Sequence, residues 1–270
     1  MSLDRIVVLG TATALMTKYY NTCFAYCRGD DIFLVDGGGG EGILRQFENT
    51  GLQWPNVHDF FITHEHTDHL LGSIAALRYI SYLMIKGRYE GHLRVYCHRE
   101  LAEKTIAICK MVLRPAEREQ VLNNMKFVNV HDGETLRIAG RAVTFFDIHS
   151  TKAPQFGFQM HLDEKVLTFL GDEPCHESSV RYVKNADWLL SEAYCLYGDR
   201  EIHTPYAYHH STVREASELA QKYGVKNLIL WHTEDTTWPH RQELYTAESR
   251  QYYTGNVLVP EDLDVIILND

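Results

Sequence analysis

Residues 61–72 read FITHEHTDHLLG, and this stretch decides the fold. Three histidines and an aspartate fall within six positions, His64-Glu65-His66-Thr67-Asp68-His69, directly behind an apolar run. Crowded imidazoles and carboxylates gain little in water, so the pattern calls for something that holds them together. A metal ion does so. At the mouth of a strand, side chains two apart point to the same side, so His64 and His66 can grip one ion. The chain then turns into a helical pattern, which lets Asp68 and His69 serve a second position.

A histidine-rich surface loop would have no matching donors elsewhere. Here three more close apolar runs further along: His149 follows VTFFDI, Asp172 follows VLTFLG, and His232 follows NLILW. Strand ends in layered α/β structures converge on one edge, where sites are built. Two metals need roughly six to eight ligands, and a shared carboxylate can bridge them at ~3.5–4 Å. Imidazoles and carboxylates without a thiolate suit two Zn²⁺ ions, with Mn²⁺ or iron as alternatives.

Around this motif the chain alternates in type. RIVVLG, CFAYC and DIFLVD read as strands before GGGG, and residues 41–49 read as a helix. DFFITH is strand-like, 70–85 is helical, LRVYCH is a strand, and 99–113 is a helix. The middle is β-rich: MKFVNV, TLRIAG, AVTFFDIH, FGFQMHL, KVLTFLGD. The end alternates again: WLLSEA, a helix over 212–223, KNLILWH, a helix over about 240–250, and LDVIIL. Thr212 with Glu215 fits a capping box and Gly224 fits the stop. The pattern predicts an α/β protein with two sheets and helices packed outside them, one domain spanning 1–270.

The bulk numbers narrow the function. The chain has 270 residues, 45% apolar and 23% charged, enough for a normal core. A net charge of −10 argues against a whole-surface polyanion binder, because phosphate contacts need Lys and Arg. No signal peptide is visible at the start, and the apolar run 70–85 is too short and mixed for a membrane span. Six scattered cysteines without a Cys-x-x-Cys pair read as reduced thiols, and the cytoplasm is the expected compartment.

THEHTDHLLG resembles the His-x-His-x-Asp-His motif of the metallo-β-lactamase superfamily, and VVLGTATA, IFLVDGGGG, DIHSTKAPQFGF, TFLGDE and LILWHTED resemble its other segments in order. The resemblance implies a four-layer αββα sandwich with a dinuclear, usually zinc, site. It implies His64, His66 and His149 on one metal, Asp68, His69 and His232 on the other, and Asp172 between them. Relatives with oxygen chemistry carry Glu where His66 stands, so His66 favours hydrolysis.

SEAYC followed by YHHSTVREA is similar to the ribonuclease Z branch. TKYYNT resembles that branch's N-terminal Lys-x-x-Asn segment. By this likeness His210 steadies the leaving group or the scissile phosphate, Glu192 orients it, and Asp68 orients the attacking hydroxide. His209 beside it reads as a surface residue, while Cys175 and His176 are further candidates for the pocket. Branch members that process tRNA carry a long arm between the third histidine and the bridging aspartate. Here His149 and Asp172 are 23 residues apart, so the arm is absent and a small phosphodiester is the expected substrate. Ribonuclease Z action on RNA 3′ ends is the alternative. A thioesterase or glyoxalase-II-like hydrolase would use the same metals without needing His210 and Glu192. A non-catalytic metal-binding module would be expected to have lost ligands. A homodimer is compatible with the branch.

Overall fold

A computed structural model describes residues 3–269. Two seven-stranded sheets face each other. The first contains β1 (Asp4–Gly10), β2 (Cys23–Arg28), β3 (Asp31–Val35), β4 (Val57–Phe61), β5 (Leu93–Cys97) and β6 (Met125–Asn129), with β14 (Val265–Ile267) added beside β1. The second contains β7 (Thr135–Ile138), β8 (Arg141–Asp147), β9 (Phe156–Leu162), β10 (Lys165–Phe169), β11 (Trp188–Glu192), β12 (Asn227–Trp231) and β13 (Asn256–Leu258). Helices α1 (Gly42–Asn49), α2 (Thr67–Ile85), α3 (Arg99–Val112) and α4 (Pro115–Asn124) accompany the first sheet. The shorter α5 (Val180–Val183) and α6 (Arg200–His203), with α7 (Val213–Lys222) and α8 (Arg241–Ser249), accompany the second. This is the expected αββα sandwich.

Its core has three apolar layers, and strand periodicity explains them. In β1, Ile6 and Val8 face the other sheet while Val7 and Leu9 face helices. In β2, Phe24 and Tyr26 point between the sheets, and the small Cys23, Ala25 and Cys27 point to the helices. Both faces are covered, so these strands are apolar on both sides. Aromatic rings close the inter-sheet space, among them Phe24 on Trp231 at 4.9 Å and Phe61 on Phe145 at 5.0 Å. Val213, Ala216 and Ala220 of α7 pack with Leu228 and Leu230 of β12 in the outer layer.

Strand direction positions the site. The runs β3-β4-β5-β6 and β10-β11-β12-β13 are parallel. Their C-terminal ends therefore lie along one edge of each sheet.

Most expected elements are present. The capping box of Thr212 and Glu215 opens α7, and Gly224 follows its end at φ +68°. The helix α4 and the short strand β13 were not anticipated. Pro115 at the first turn of α4 marks a helix start, but PAEREQVLNN lacks the apolar stripe that makes a helix legible. All six cysteines are free thiols, five of them buried.

Candidate metal centre and catalytic cleft

The motif begins where β4 ends. Residues 62–66 leave the strand, and His66 stands in extended backbone before the first turn of α2. Asp68 and His69 fall in that turn, where a carboxylate is favoured by the helix N-terminus. Gly72, one turn on, lets the helix press against the glycine loop behind β3. A Cβ on Gly72 would sit 1.8 Å from the Gly37 carbonyl oxygen. Backbone bonds from Gly72 N–H to Gly38 O (2.8 Å) and Gly37 N–H to His69 O (3.2 Å) use that closeness. Asp172 follows β10 through Gly171, whose φ is +83°, and His232 follows β12 with its own φ at +55°.

These segments bring six donors together. His64, His66 and Asp172 form one group, and Asp68, His69 and His232 another, each with ligand atoms within 4.8 Å of one another. His64 Nε2 lies 2.9 Å from His66 Nδ1 and 3.3 Å from Asp172 Oδ2. The same Asp172 oxygen is 3.8 Å from His69 Nε2 and 3.7 Å from His232 Nε2. It therefore stands between the two groups. Ligands on a tetrahedral zinc are about 3.3 Å apart, given metal–nitrogen bonds of ~2.0–2.1 Å. The separations seen here fit that spacing. His69 Nε2 and Asp172 Oδ1 are also buried without a hydrogen-bond partner, a costly state for polar atoms unless a cation satisfies them.

The electrostatics agree. Burial opposes charge on His69, but the Asp68 and Asp36 carboxylates outweigh it and raise the ring well above the usual histidine range. What favours a proton there favours a metal cation in its place. Burial would raise the Asp172 carboxyl, yet His64, His232 and His69 hold it well below the carboxylate range. Asp68 is likewise lowered against its own burial, chiefly by His69. Burial lowers His232, keeping its ring neutral as a ligand must be.

A second layer of residues aims the ligands. Asp36, at the end of β3, accepts bonds from His69 Nδ1 (2.9 Å), Thr63 N–H (2.9 Å) and Thr63 Oγ1 (2.8 Å). Thr63 Oγ1 in turn lies 2.9 Å from His64 Nδ1. His232 Nδ1 lies 3.0 Å from Thr22 Oγ1, and its Nε2 lies 3.1 Å from Thr13 Oγ1. Sequence reasoning missed these residues. For Asp36 the signal was available, because IFLVD is another apolar run ending in a carboxylate.

A cavity of about 430 Å³ opens onto this centre. His66, Asp68, Asp172, His210 and His232 form its polar wall, Lys152 stands at its side, and Leu15, Met16, Tyr194 and Tyr208 give an apolar one. His210 is buried and stacked on Tyr194, with ring centroids 5.0 Å apart. Its Nδ1 lies 3.6 Å from Glu192 Oε2, an ion-pair distance longer than a hydrogen bond. Neither atom has another partner. Glu192 is fully buried, and its Oε1 accepts from Ser211 N–H (2.7 Å) and Ser211 Oγ (2.6 Å). The carboxylate thus fixes the segment that carries His210.

His149, read from sequence as a ligand, lies apart from both groups. Its backbone is left-handed, at φ +58°, and its side chain is 47% exposed. Its ring stands against His176 at 5.1 Å, and its Nδ1 is 3.9 Å from Asp147. Cys175 and His176 are not among the residues that line the cavity. His209 is exposed beside Thr151.

Comparison with known proteins places this architecture. Residues 33–233 match the family described as the beta-lactamase superfamily domain. A ribonuclease Z of Methanothermobacter thermautotrophicus is 26% identical over 92% of each chain. Among solved structures, the metallo-beta-lactamase fold protein YhfI from Bacillus subtilis superposes with a TM-score of 0.79 at 17% identity, covering 98% of this chain and 99% of its own. Human tRNase Z, short form, superposes with a TM-score of 0.72 at 20% identity over 97% of this chain. No helix among the described residues is long and apolar enough to cross a membrane.

Proposed function

We infer that this chain, which belongs to the beta-lactamase superfamily, is a metal-dependent hydrolase of phosphodiesters whose six clustered donors hold two metal ions. The observation that carries this reading is the shared carboxylate. Two donor groups meet at Asp172, and the His210–Glu192 pair opens onto the same cavity. The similarity to ribonuclease Z supports phosphorus as the target.

Zinc suits the donors, which are imidazoles and carboxylates, with manganese or iron as alternatives. Bound there, the ions would supply an activated water and neutralise charge on the phosphoryl group. Asp68 is held ionised and lines the cavity, so it can accept a hydrogen bond from the attacking water and orient it. His210 has its Nδ1 turned to Glu192, which leaves Nε2 to serve the leaving oxygen. Leu15 and Tyr208, both largely exposed on the apolar wall, can receive the organic part of the substrate. His149 would join the ligands only if the segment 149–154 reoriented.

A small phosphodiester fits better than tRNA. Between His149 and Asp172 the chain forms only a short loop and the β9–β10 hairpin, which leaves no extended arm. The net charge of −10 is also unsuited to docking a long polyanion. The second reading, RNA 3′-end processing, rests on the ribonuclease Z relatives, which match over nearly their full length.

The test is one panel assayed with metal-loaded protein: bis-p-nitrophenyl phosphate, a 2′,3′-cyclic nucleotide, a pre-tRNA and a thioester. The small phosphodiesters should be cleaved with the highest kcat/KM. A higher value for pre-tRNA favours the second reading, and turnover of the thioester alone rejects both.

A further inference from the structure

We propose that the apolar wall of the catalytic cavity, with Tyr208 and Leu15 as its exposed members, selects phosphodiesters whose leaving alcohol carries a flat ring. This rests on the phosphodiester reading, with His210 serving the leaving oxygen, and names which half of the substrate the wall receives.

Direct contacts place this wall at the His210 side of the centre. Thr13 Oγ1 lies 3.1 Å from His232 Nε2, and Leu15 and Met16 follow Thr13 closely in the chain. The His232 ring stands 5.4 Å from that of His210, which is itself stacked on Tyr194 at 5.0 Å. Tyr208 ends the turn Pro205–Tyr208 just before His210, and the His210 N–H donates back to Pro205 O at 3.0 Å. Leu15, Met16, Tyr194 and Tyr208 line the same cavity as His210. A leaving oxygen beside His210 therefore carries its organic group onto these side chains.

The exposed members are tied in place. Leu15 is 95% exposed and Tyr208 57%. On either side of Leu15 the loop is anchored: Thr13 N–H donates to Thr233 O (3.0 Å), and the Thr17 and Lys18 N–H groups donate to Asp235 Oδ2 (2.7 and 2.8 Å). Leu15 itself has φ +63°, a backbone that a bulky residue seldom adopts. The turn before His210 is held by Ala207 N–H to Thr204 O (3.0 Å) and by Tyr206 Oη to Glu215 Oε1 (2.8 Å). A phenol ring and a branched alkyl group fixed in this way can take a planar ring without first ordering a loop. Stacking on the phenol favours a flat ring over an alkyl group. Lys152, the one lysine or arginine among the described lining residues, is paired with Glu173 at 3.4 Å, so the wall suits a neutral ring. In the reaction the oxygen of water joins phosphorus and the bond to the leaving oxygen breaks. That oxygen departs as the alcohol with a proton from His210, and the other substituent stays on the monoester.

One ester with two unactivated alcohols tests the direction: methyl 2-phenylethyl phosphate, given to metal-loaded protein, with both alcohols quantified. Wild-type protein should release 2-phenylethanol over methanol by about tenfold or more, the size of one aromatic stack. Tyr208→Ala should bring that ratio toward one, and Tyr208→Phe should keep it. Leu15→Gly, which suits the left-handed backbone, should lower it severalfold. The ratio is internal to one substrate, so a variant that merely folds poorly or holds less metal changes the rate and leaves the ratio alone. Thymidine 5′-(methyl phosphate) separates two sources of the ring. A larger preference for releasing thymidine identifies a nucleoside, and an equal or larger one for 2-phenylethanol identifies a simple aryl alcohol. If wild-type protein turns over bis-p-nitrophenyl phosphate but does not release 2-phenylethanol as the main alcohol, the inference is overturned and the phosphodiester reading stands. An unchanged ratio in Tyr208→Ala or in Leu15→Gly overturns it equally. Turnover of neither bis-p-nitrophenyl phosphate nor the mixed ester overturns both.

Discussion

Asp36→Asn changes one atom and should disturb both halves of the metal centre. Asp36 Oδ2 accepts from His69 Nδ1 and from Thr63 Oγ1, and Thr63 Oγ1 lies against His64 Nδ1. With a carboxylate, every bond in this relay runs toward Asp36. His69 and His64 both carry their proton on Nδ1, and each presents a bare Nε2 to the centre. In Asn the Oδ1 oxygen can keep the Thr63 N–H bond, which places the amide nitrogen at the Oδ2 position. Its two hydrogens then point at His69 Nδ1 and Thr63 Oγ1, and the threonine hydroxyl must turn toward His64. Both rings are driven to the tautomer with hydrogen on Nε2, which blocks the ligand atom. Loss of such a supporting partner typically costs 10–100-fold in metal affinity, or about 1.4–2.7 kcal/mol. The relay reaches both donor groups, so the loss should appear at both positions. The fold should survive. Asn matches Asp in size and tolerates the φ of +55° found here. The melting temperature of metal-free protein should shift by under about 4 °C, corresponding to a change below ~1 kcal/mol. Metal titration against a competing chelator measures the affinities, and ¹⁵N spectra of the imidazoles report the tautomers. Wild-type affinity at both positions, or unchanged tautomers, would refute the relay.

Other substitutions separate the roles of the remaining residues. His210→Ala should leave metal binding intact and lower kcat for unactivated phosphodiesters by about 10²–10⁴; p-nitrophenyl esters should lose less, because their leaving group needs no proton. Glu192→Gln should lose less than His210→Ala in the same direction, since its Oε1 contact with Ser211 survives in part; a larger loss would mean that Glu192 mainly holds the fold. His149→Ala should reduce metal affinity far less than His64→Ala, because His149 stands outside both donor groups; equal losses in a chelator competition would show that the loop brings His149 inward.

The donors were legible in the sequence because the fold repeats one device. An apolar run ends, and a polar residue follows it at the sheet edge. His64, Asp172 and His232 all obey that rule, with Asp68 and His69 one step further on in the helix that follows, and the capping box of α7 located the segment carrying His210. His149 also follows an apolar run, but the loop behind β8 leaves its ring exposed beside His176, and run length carries no information about where a loop then leads. The supporting residues were harder to see. Thr13 and Thr22 reach His232 from the connection between β1 and β2, so no local spacing connects them. Lys152 looks in sequence like any loop lysine, and only the packing around Glu173 shows that it faces the cavity. The helix α4 was missed because six of its ten positions are charged or amide side chains.

The central claim is a two-metal centre that hydrolyses phosphodiesters. Turnover of bis-p-nitrophenyl phosphate, followed as Zn²⁺ is titrated into metal-free protein, tests it most directly. The rate should climb to a plateau at two equivalents per chain. A plateau at one equivalent, or no turnover at any metal loading, would contradict it.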